Sequence, residues 1–272
     1  MSADGRLDGK VALITGGGSG IGRATCRRLA DAGARVFVVD RDEASARAVA
    51  EEVGGSFFVA DMGNSTEVNA AFGACVETFD VVDIAFLNAG ISIGVADLTT
   101  LVDDDYHRLM RVNVDGVVFG LRAAIRAMEA RGGAIVATSS LAGIIPFPPD
   151  PVYDASKHAV VGLVRSAAPT LVAKNITVNT VNPGIVDTNI LTQAAKDALR
   201  GAGFPIMEPS QIADAVHGLV TSGVTGQCWV CQPGREAVPY AFRDVPGPRG
   251  GGTEGRRMPA FAADEESWAT RS

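Results

Sequence analysis

Short apolar runs alternate with longer stretches of helical periodicity through most of the chain. Val11 to Ile14, Arg35 to Val39, Ser56 to Val59, Asp83 to Phe86, Ala134 to Thr138, Ile176 to Val181 and Gln227 to Cys231 read as strands. Between them, helical patterns run from Ile21 to Ala32, Asp42 to about Val53, Ser65 to Thr78, and Ser210 to Thr221. Two helices cover about Asp103 to Arg131, and one long helix covers Val152 to Lys174. Strands this continuously apolar are buried on both faces, and their alternation with helices predicts an α/β protein: a seven-stranded, mostly parallel sheet with helices on both sides.

The pattern stops after Gln232. Residues 233–272 hold 6 Gly, 5 Pro and 12 charged residues in 40 positions, a composition that buries little by itself. The reading is therefore one domain over residues 1–232 and an extension over 233–272. Part of the extension, with Tyr240, Phe242, Met258, Phe261 and Trp268, is expected to pack on its own domain or on a neighbouring subunit.

Composition narrows the function classes. The formal net charge of −7 argues against a nucleic-acid partner, which calls for a basic face. No apolar run is long enough to span a membrane, and Met1 to Lys10 lacks the apolar core of a signal peptide, so a soluble cytoplasmic protein is expected. Cys228 and Cys231 have C-x-x-C spacing, but no second pair or nearby His completes a zinc site. They read as core residues of a strand, and no metal is expected.

Candidate chemistry lies at both ends of this frame. Thr15-Gly16-Gly17-Gly18-Ser19-Gly20-Ile21-Gly22 follows the first strand and opens the first helix. Glycines let the backbone approach a ligand, and the free N–H groups of the helix start bind a pyrophosphate. Asp40 closes the second strand, where an acid hydrogen-bonds an adenosine ribose and repels a 2′-phosphate. This favours NAD over NADP, although Arg41 beside it could face such a phosphate. Tyr153 and Lys157 stand four residues apart, on one face of the long helix. An ammonium there should lower the phenol's pKa from about 10 and make it usable as an acid and base.

With Asp61, Asn88-Ala89-Gly90, Asn113, Ser139-Ser140, Tyr153-x-x-x-Lys157, and Asn182-Pro183-Gly184 followed by Thr188, the chain resembles the short-chain dehydrogenase/reductase family over about residues 8–232. The resemblance implies a doubly wound, Rossmann-like fold and a nicotinamide cofactor. It implies Tyr153 as general acid/base and Lys157 on the nicotinamide ribose, holding the tyrosine pKa down. Asn113 would position a water linked to Lys157. Ser140, 13 residues before Tyr153, would bond the substrate oxygen in preference to Ser139.

The same pattern assigns Gly16, Ser19, Gly20, Ile21 and Gly22 to the pyrophosphate turn; Asp40 and Arg41, at the end of the second strand, are counted with them as cofactor-binding. Asp61 would bond the adenine, with Met62 beside it, and Asn88, Ala89 and Gly90 would line the adenosine side. Pro183 and Gly184 lead into Val186 and Thr188, which would face the nicotinamide carboxamide. Relatives commonly form homotetramers through their long helices.

Substrate choice is expected from a lid at about residues 185–210 and from Ile144 to Pro149. Both are mostly apolar, which suggests a hydrophobic secondary alcohol or ketone, alicyclic, terpenoid or steroid-like. The alternatives are an NADPH-dependent ketoreductase, including ketoacyl reduction, and a non-catalytic NAD-sensing protein.

Overall fold

The computed structural model describes residues 5–243. The elements follow in the order β1 (Val11–Thr15), α1 (Gly20–Asp31), β2 (Arg35–Asp40), α2 (Glu43–Glu52), β3 (Ser56–Val59), α3 (Ser65–Phe79) and β4 (Ile84–Leu87). Then come α4 (Asp103–Met110), α5 (Gly116–Met128), β5 (Gly133–Thr138), α6 (Pro151–Leu171) and β6 (Ile176–Pro183). The remaining elements are α7 (Gln193–Gly201), α8 (Pro209–Ser222), β7 (Cys228–Cys231) and β8 (Val238–Pro239). The sheet order is β3-β2-β1-β4-β5-β6-β7-β8, parallel except for the last pair. It is a doubly wound sheet, and its order reverses between β1 and β4, where a crevice opens at the strands' carboxyl ends.

The period of the strands explains their composition. Val11 and Leu13 of β1, Phe37 and Val39 of β2, and Ile135 and Ala137 of β5 point to one face and pack with Val68 and Phe72 of α3, Leu121 of α5 and Val164 of α6. Their neighbours Ala12, Ile14, Val36, Val38, Ala134 and Val136 point to the other, against Leu29 of α1, Val49 of α2 and Ile212 and Val216 of α8. Each strand residue meets a helix on its own side, so no polar alternation survives.

Three features differ from expectation. The sheet has eight strands: Val230 pairs with Val238 and Trp229 with Pro239, antiparallel. Two residues, one a proline, are too few to display alternation. The first compact unit thus runs to Pro239, past Gln232. Second, the lid carries a helix of its own, α7. Third, α4 and α5 are joined without a loop by a π-helical turn, Arg111–Asp115. Beyond Pro239, Tyr240 and Phe242 meet edge to face, with ring centroids 4.9 Å apart. Met258, Phe261 and Trp268 lie outside the described residues. Among the described residues no helix is long and apolar enough to cross a membrane. Cys228 and Cys231 are free thiols, both buried in the β7 strand.

Candidate active site

The crevice begins at the turn between β1 and α1. Asp42 and Asn64 cap α2 and α3 with their side chains, but Ser19 makes no such bond at the start of α1. The first N–H groups of α1 are therefore left for another acceptor. Gly22 is dictated by sterics: a Cβ there would lie 2.0 Å from the Gly16 carbonyl oxygen. Ile21, next in the turn, is partly buried against the core face that holds Leu29 and Val38. The methyl group of Thr188 overlies Gly20, 3.2 Å from where a Cβ would stand, so the chain leaving β6 roofs the turn.

Asp40 is fixed beside this turn. Its Oδ2 accepts from the Gly18 N–H at 2.9 Å and its Oδ1 from the Asp42 N–H at 3.1 Å. Each oxygen keeps lone-pair capacity for a hydroxyl. Arg41 is solvent-exposed. Asp61 accepts from the Gly63 N–H at 2.9 Å, with the Arg111 guanidinium 3.8 Å from its other oxygen. Met62 is buried in the core. Asn88 ties three strand ends together: its Nδ2 donates to the Thr15 carbonyl at 3.2 Å, and its Oδ1 accepts from the Thr138 hydroxyl at 3.0 Å. Ala89 donates its N–H to the Thr15 hydroxyl at 3.2 Å. This uncapped helix end, glycine floor and poised carboxylate suit a dinucleotide.

The opposite wall is formed by the segment after β5 and by α6. The two adjacent serines have different duties. Ser139 is buried and donates to the Lys157 carbonyl at 3.0 Å, locking α6 to β5. The Ser140 hydroxyl faces the Tyr153 phenol closely enough to lower its pKa. It also accepts from the Ala142 N–H at 3.1 Å, capping a short 3-10 turn. Lys157 is 2% exposed, donates to the Thr138 carbonyl at 3.0 Å, and holds its Nζ 5.5 Å from the Tyr153 ring centroid.

Asn113 sits in the π-helical turn, which swings its buried amide onto the strand of chain after β4. Its Oδ1 accepts from the Ile91 N–H at 2.8 Å; its Nδ2 donates to the Ile91 carbonyl at 2.8 Å and to the Ser156 hydroxyl at 3.1 Å. Gly90 lies between: a Cβ there would be 3.2 Å from Lys157 Nζ and 3.4 Å from Asn113 Oδ1. Ser140, Tyr153, Lys157 and Asn113 thus converge from three separate segments.

The proton affinities run against one expectation. Burial pushes the Tyr153 phenol up to about 12; the Ser140 hydroxyl pulls it back, and the Asp150 charge pushes it further up. Burial also pulls Lys157 down to about 8. Lys157 does not hold the phenol below its usual value here, because the ammonium is itself desolvated and lies over the ring face.

Val186 is another refinement. Its side chain is buried against the core, and its backbone bridges to Met207, so only its main chain is available to the crevice. Pro183 ends β6, and its carbonyl lies 3.5 Å from the Ser140 hydroxyl. The Gly184 N–H bonds the Cys231 carbonyl at 2.9 Å. Asp150 was not singled out by the sequence reading, yet it caps α6 and collects four hydrogen bonds.

Known proteins agree with this architecture. The profile of the short chain dehydrogenase family matches residues 10–199. A 3beta-hydroxysteroid dehydrogenase of Mediterraneibacter gnavus is 39% identical over 198 residues, 71% of this chain and 72% of that protein. A 2,5-dichloro-2,5-cyclohexadiene-1,4-diol dehydrogenase of Sphingobium indicum is 35% identical over 85% of this chain and 99% of its own. Among solved structures, the 3-ketoacyl-(acyl-carrier-protein) reductase of Brucella melitensis complexed with NADH superposes with a TM-score of 0.78 at 32% identity, covering 84% of this chain and 99% of that one. The fold, the crevice and these matches lead to one statement: the chain belongs to the short-chain dehydrogenase/reductase family of oxidoreductases.

Proposed function

We propose that the protein is an NAD-dependent dehydrogenase of hydrophobic secondary alcohols, with Tyr153 as general acid/base. The observation that carries the reading is the convergence of the Tyr153 phenol, the Ser140 hydroxyl and the Lys157 ammonium on one crevice. When bound, the nicotinamide accepts or returns the hydride. Tyr153 takes the hydroxyl proton of an alcohol, or returns it to a carbonyl. Ser140 orients the substrate oxygen as its charge changes. Lys157 binds the ribose. Asn113, on the far side of Gly90 from Lys157, holds a water that carries the proton outward.

Asp40 supports NAD, because its fixed carboxylate repels a 2′-phosphate. The binding surface for NAD comprises the turn from Gly16 to Gly22, Asp40, Asp61, Asn88 to Gly90, and the chain from Pro183 to Thr188. Exposed Arg41 gives the NADPH alternative its one foothold. The substrate side supports an apolar ligand: Phe147 is 39% exposed with its ring centroid 6.2 Å from that of Tyr153, and Phe204 of the lid is 48% exposed. The steroid and cyclic-diol dehydrogenases among the relatives point to the same class. A homo-oligomer is supported by an open, largely apolar groove between α5 and α6, lined by Val118, Leu121, Ile125 and Leu163 together with Arg122 and Arg126.

The test is turnover of a panel of cyclic and steroid secondary alcohols with NAD or NADP, followed by reduced-cofactor absorbance. Turnover with NAD that falls about 10²–10⁴-fold in Tyr153→Phe, with NAD affinity retained, is expected. NADP preference, or full activity in Tyr153→Phe, would overturn the reading.

A further inference from the structure

Asp150 stands immediately before α6 and is 1% exposed, the most deeply buried carboxylate among the described residues. It accepts four hydrogen bonds. Its Oδ1 takes the Tyr153 N–H at 3.0 Å, which caps the helix. Its Oδ2 takes the Ser92 hydroxyl at 2.7 Å, the Ile93 N–H at 2.9 Å and the Gly94 N–H at 2.8 Å. A helix cap requires only the first of these. The other three come from the segment after β4, which Asn113 grips at Ile91.

An acceptor-only group is demanded here. Asparagine would turn an NH₂ toward one set of donors, and serine could reach only one set. Burying a bare carboxylate is costly, so four donors and a helix N-terminus are the conditions under which it persists.

We propose that Asp150 is a positioning residue that acts through Tyr153, fixing the start of α6 to the Ile91–Gly94 segment and holding a carboxylate at the N-terminus of the helix that carries the phenol. The inference rests on the acid/base reading of Tyr153 given above.

The geometry gives this two consequences. The clamp sets the register of Tyr153 and Lys157 against Gly90 and Asn113, because one carboxylate holds both pieces of chain. The charge favours the protonated phenol, opposing the Ser140 hydroxyl. Other groups near Tyr153 are accounted for. Lys157 lies over the ring. The Asp154 carboxylate is spent on the Phe147 N–H at 2.8 Å and on His158 at 3.2 Å. Ser140 is the polar side chain from the segment after β5, and Ser92, the hydroxyl after β4, is turned to Asp150. Asp150 therefore adds to the larger effect of burial and raises the pH at which the tyrosine becomes a base.

The test titrates the Tyr153 hydroxyl directly, by carbon-13 NMR of full-length protein labelled at the tyrosine ring Cζ. The chain has 3 tyrosines, and Tyr153→Phe assigns the resonance. Asp150→Asn and Asp150→Ser are compared with wild type, with and without NAD. Serine restores the helix cap without the charge. The Tyr153 midpoint is expected to fall by about 0.5–1 pH unit in both variants. In the alcohol assay, kcat should fall about tenfold or more, because the reacting geometry is disturbed.

A midpoint that stays put in Asp150→Ser, with the fold intact, would reduce Asp150 to a helix cap and overturn the proposal. If either substitution unfolds the chain, Ser92→Ala carries the test. Withdrawing one hydrogen bond from Oδ2 leaves more charge to act on Tyr153, so the midpoint should rise, and an unmoved midpoint overturns the idea. The titration needs no turnover, so its failure is distinct from a failure of the dehydrogenase reading, which Tyr153→Phe activity decides.

Discussion

The cofactor side and the substrate side of the crevice are built in opposite ways. The turn from Gly16 to Gly22 is held at Gly16 and Gly22 by backbone contacts that leave no room for a side chain, and it follows a strand with a fully buried interior. The lid helix α7 buries none of its residues. It is attached chiefly by Asp187, which meets Lys196 Nζ at 2.6 Å and the Arg200 guanidinium at 2.8 Å. Further along, Val186 and Met207 anchor the two ends of the lid to the core. One half of the site is thus shaped by covalent and packing constraints, the other by a few ion pairs between buried hinges. A ligand common to many reactions can be met by rigid backbone, whereas a variable ligand is met by side chains on a segment that can shift.

The contrast is most sharply tested at Gly22. A side chain at that position should abolish NAD binding. In Gly22→Val, calorimetric affinity for NAD is expected to drop more than about 100-fold, because the Gly16 carbonyl cannot retreat. Retained binding would mean that the turn is not rigid.

The next largest effect should be on substrate binding. Phe147→Ala and Phe204→Ala are each expected to raise KM for a hydrophobic alcohol about tenfold, with NAD affinity unchanged, from the apolar area withdrawn. A change in NAD affinity would show that the two halves are not separable.

A smaller effect concerns pH and the stability of the cofactor-free protein. Lys157 titrates near 8 in the folded chain against 10.5 ordinarily, so the unfolded chain holds its proton more tightly. Folding is opposed while that ammonium is buried, and stability should rise as pH climbs from about 8 to 10.5. Tyr153, raised from 10 to about 12, acts in the opposite sense above pH 10, where stability falls again. Lys157→Met should lack the rise and melt a few degrees higher at neutral pH, by scanning calorimetry.

The smallest effect is expected at the lid. Asp187→Asn should raise KM about two- to threefold at low salt and change the melting temperature little, because ion pairs that water still reaches contribute little. High salt should bring the wild type toward the variant.

How much of this was legible follows from the same contrast. β1, β2, β5 and β6 announced themselves as apolar runs because both faces are covered, and the family motifs pointed to the crevice. Asp40 was legible because a strand end and a glycine turn are local features. The helix α7 buries nothing, so periodicity carried no signal there; its Thr192 cap and its Ala, Lys, Leu and Arg content were the available cues. β8 was too short to read. Asp150 passed unread, because its one local cue is an acid before a proline and its other partners lie 56 to 58 residues away. The direction of the Tyr153 shift also escaped, because burial is a property of the folded crevice and not of i,i+4 spacing.

One consequence of α7 concerns inheritance rather than chemistry. A helix with no residue in the core can be rewritten almost freely without bringing the chain near its folding threshold. New substrates can therefore be explored there by drift, in sequences that still fold and still hold the same cofactor. The range of activities among relatives is what such a tolerant segment would be expected to leave behind.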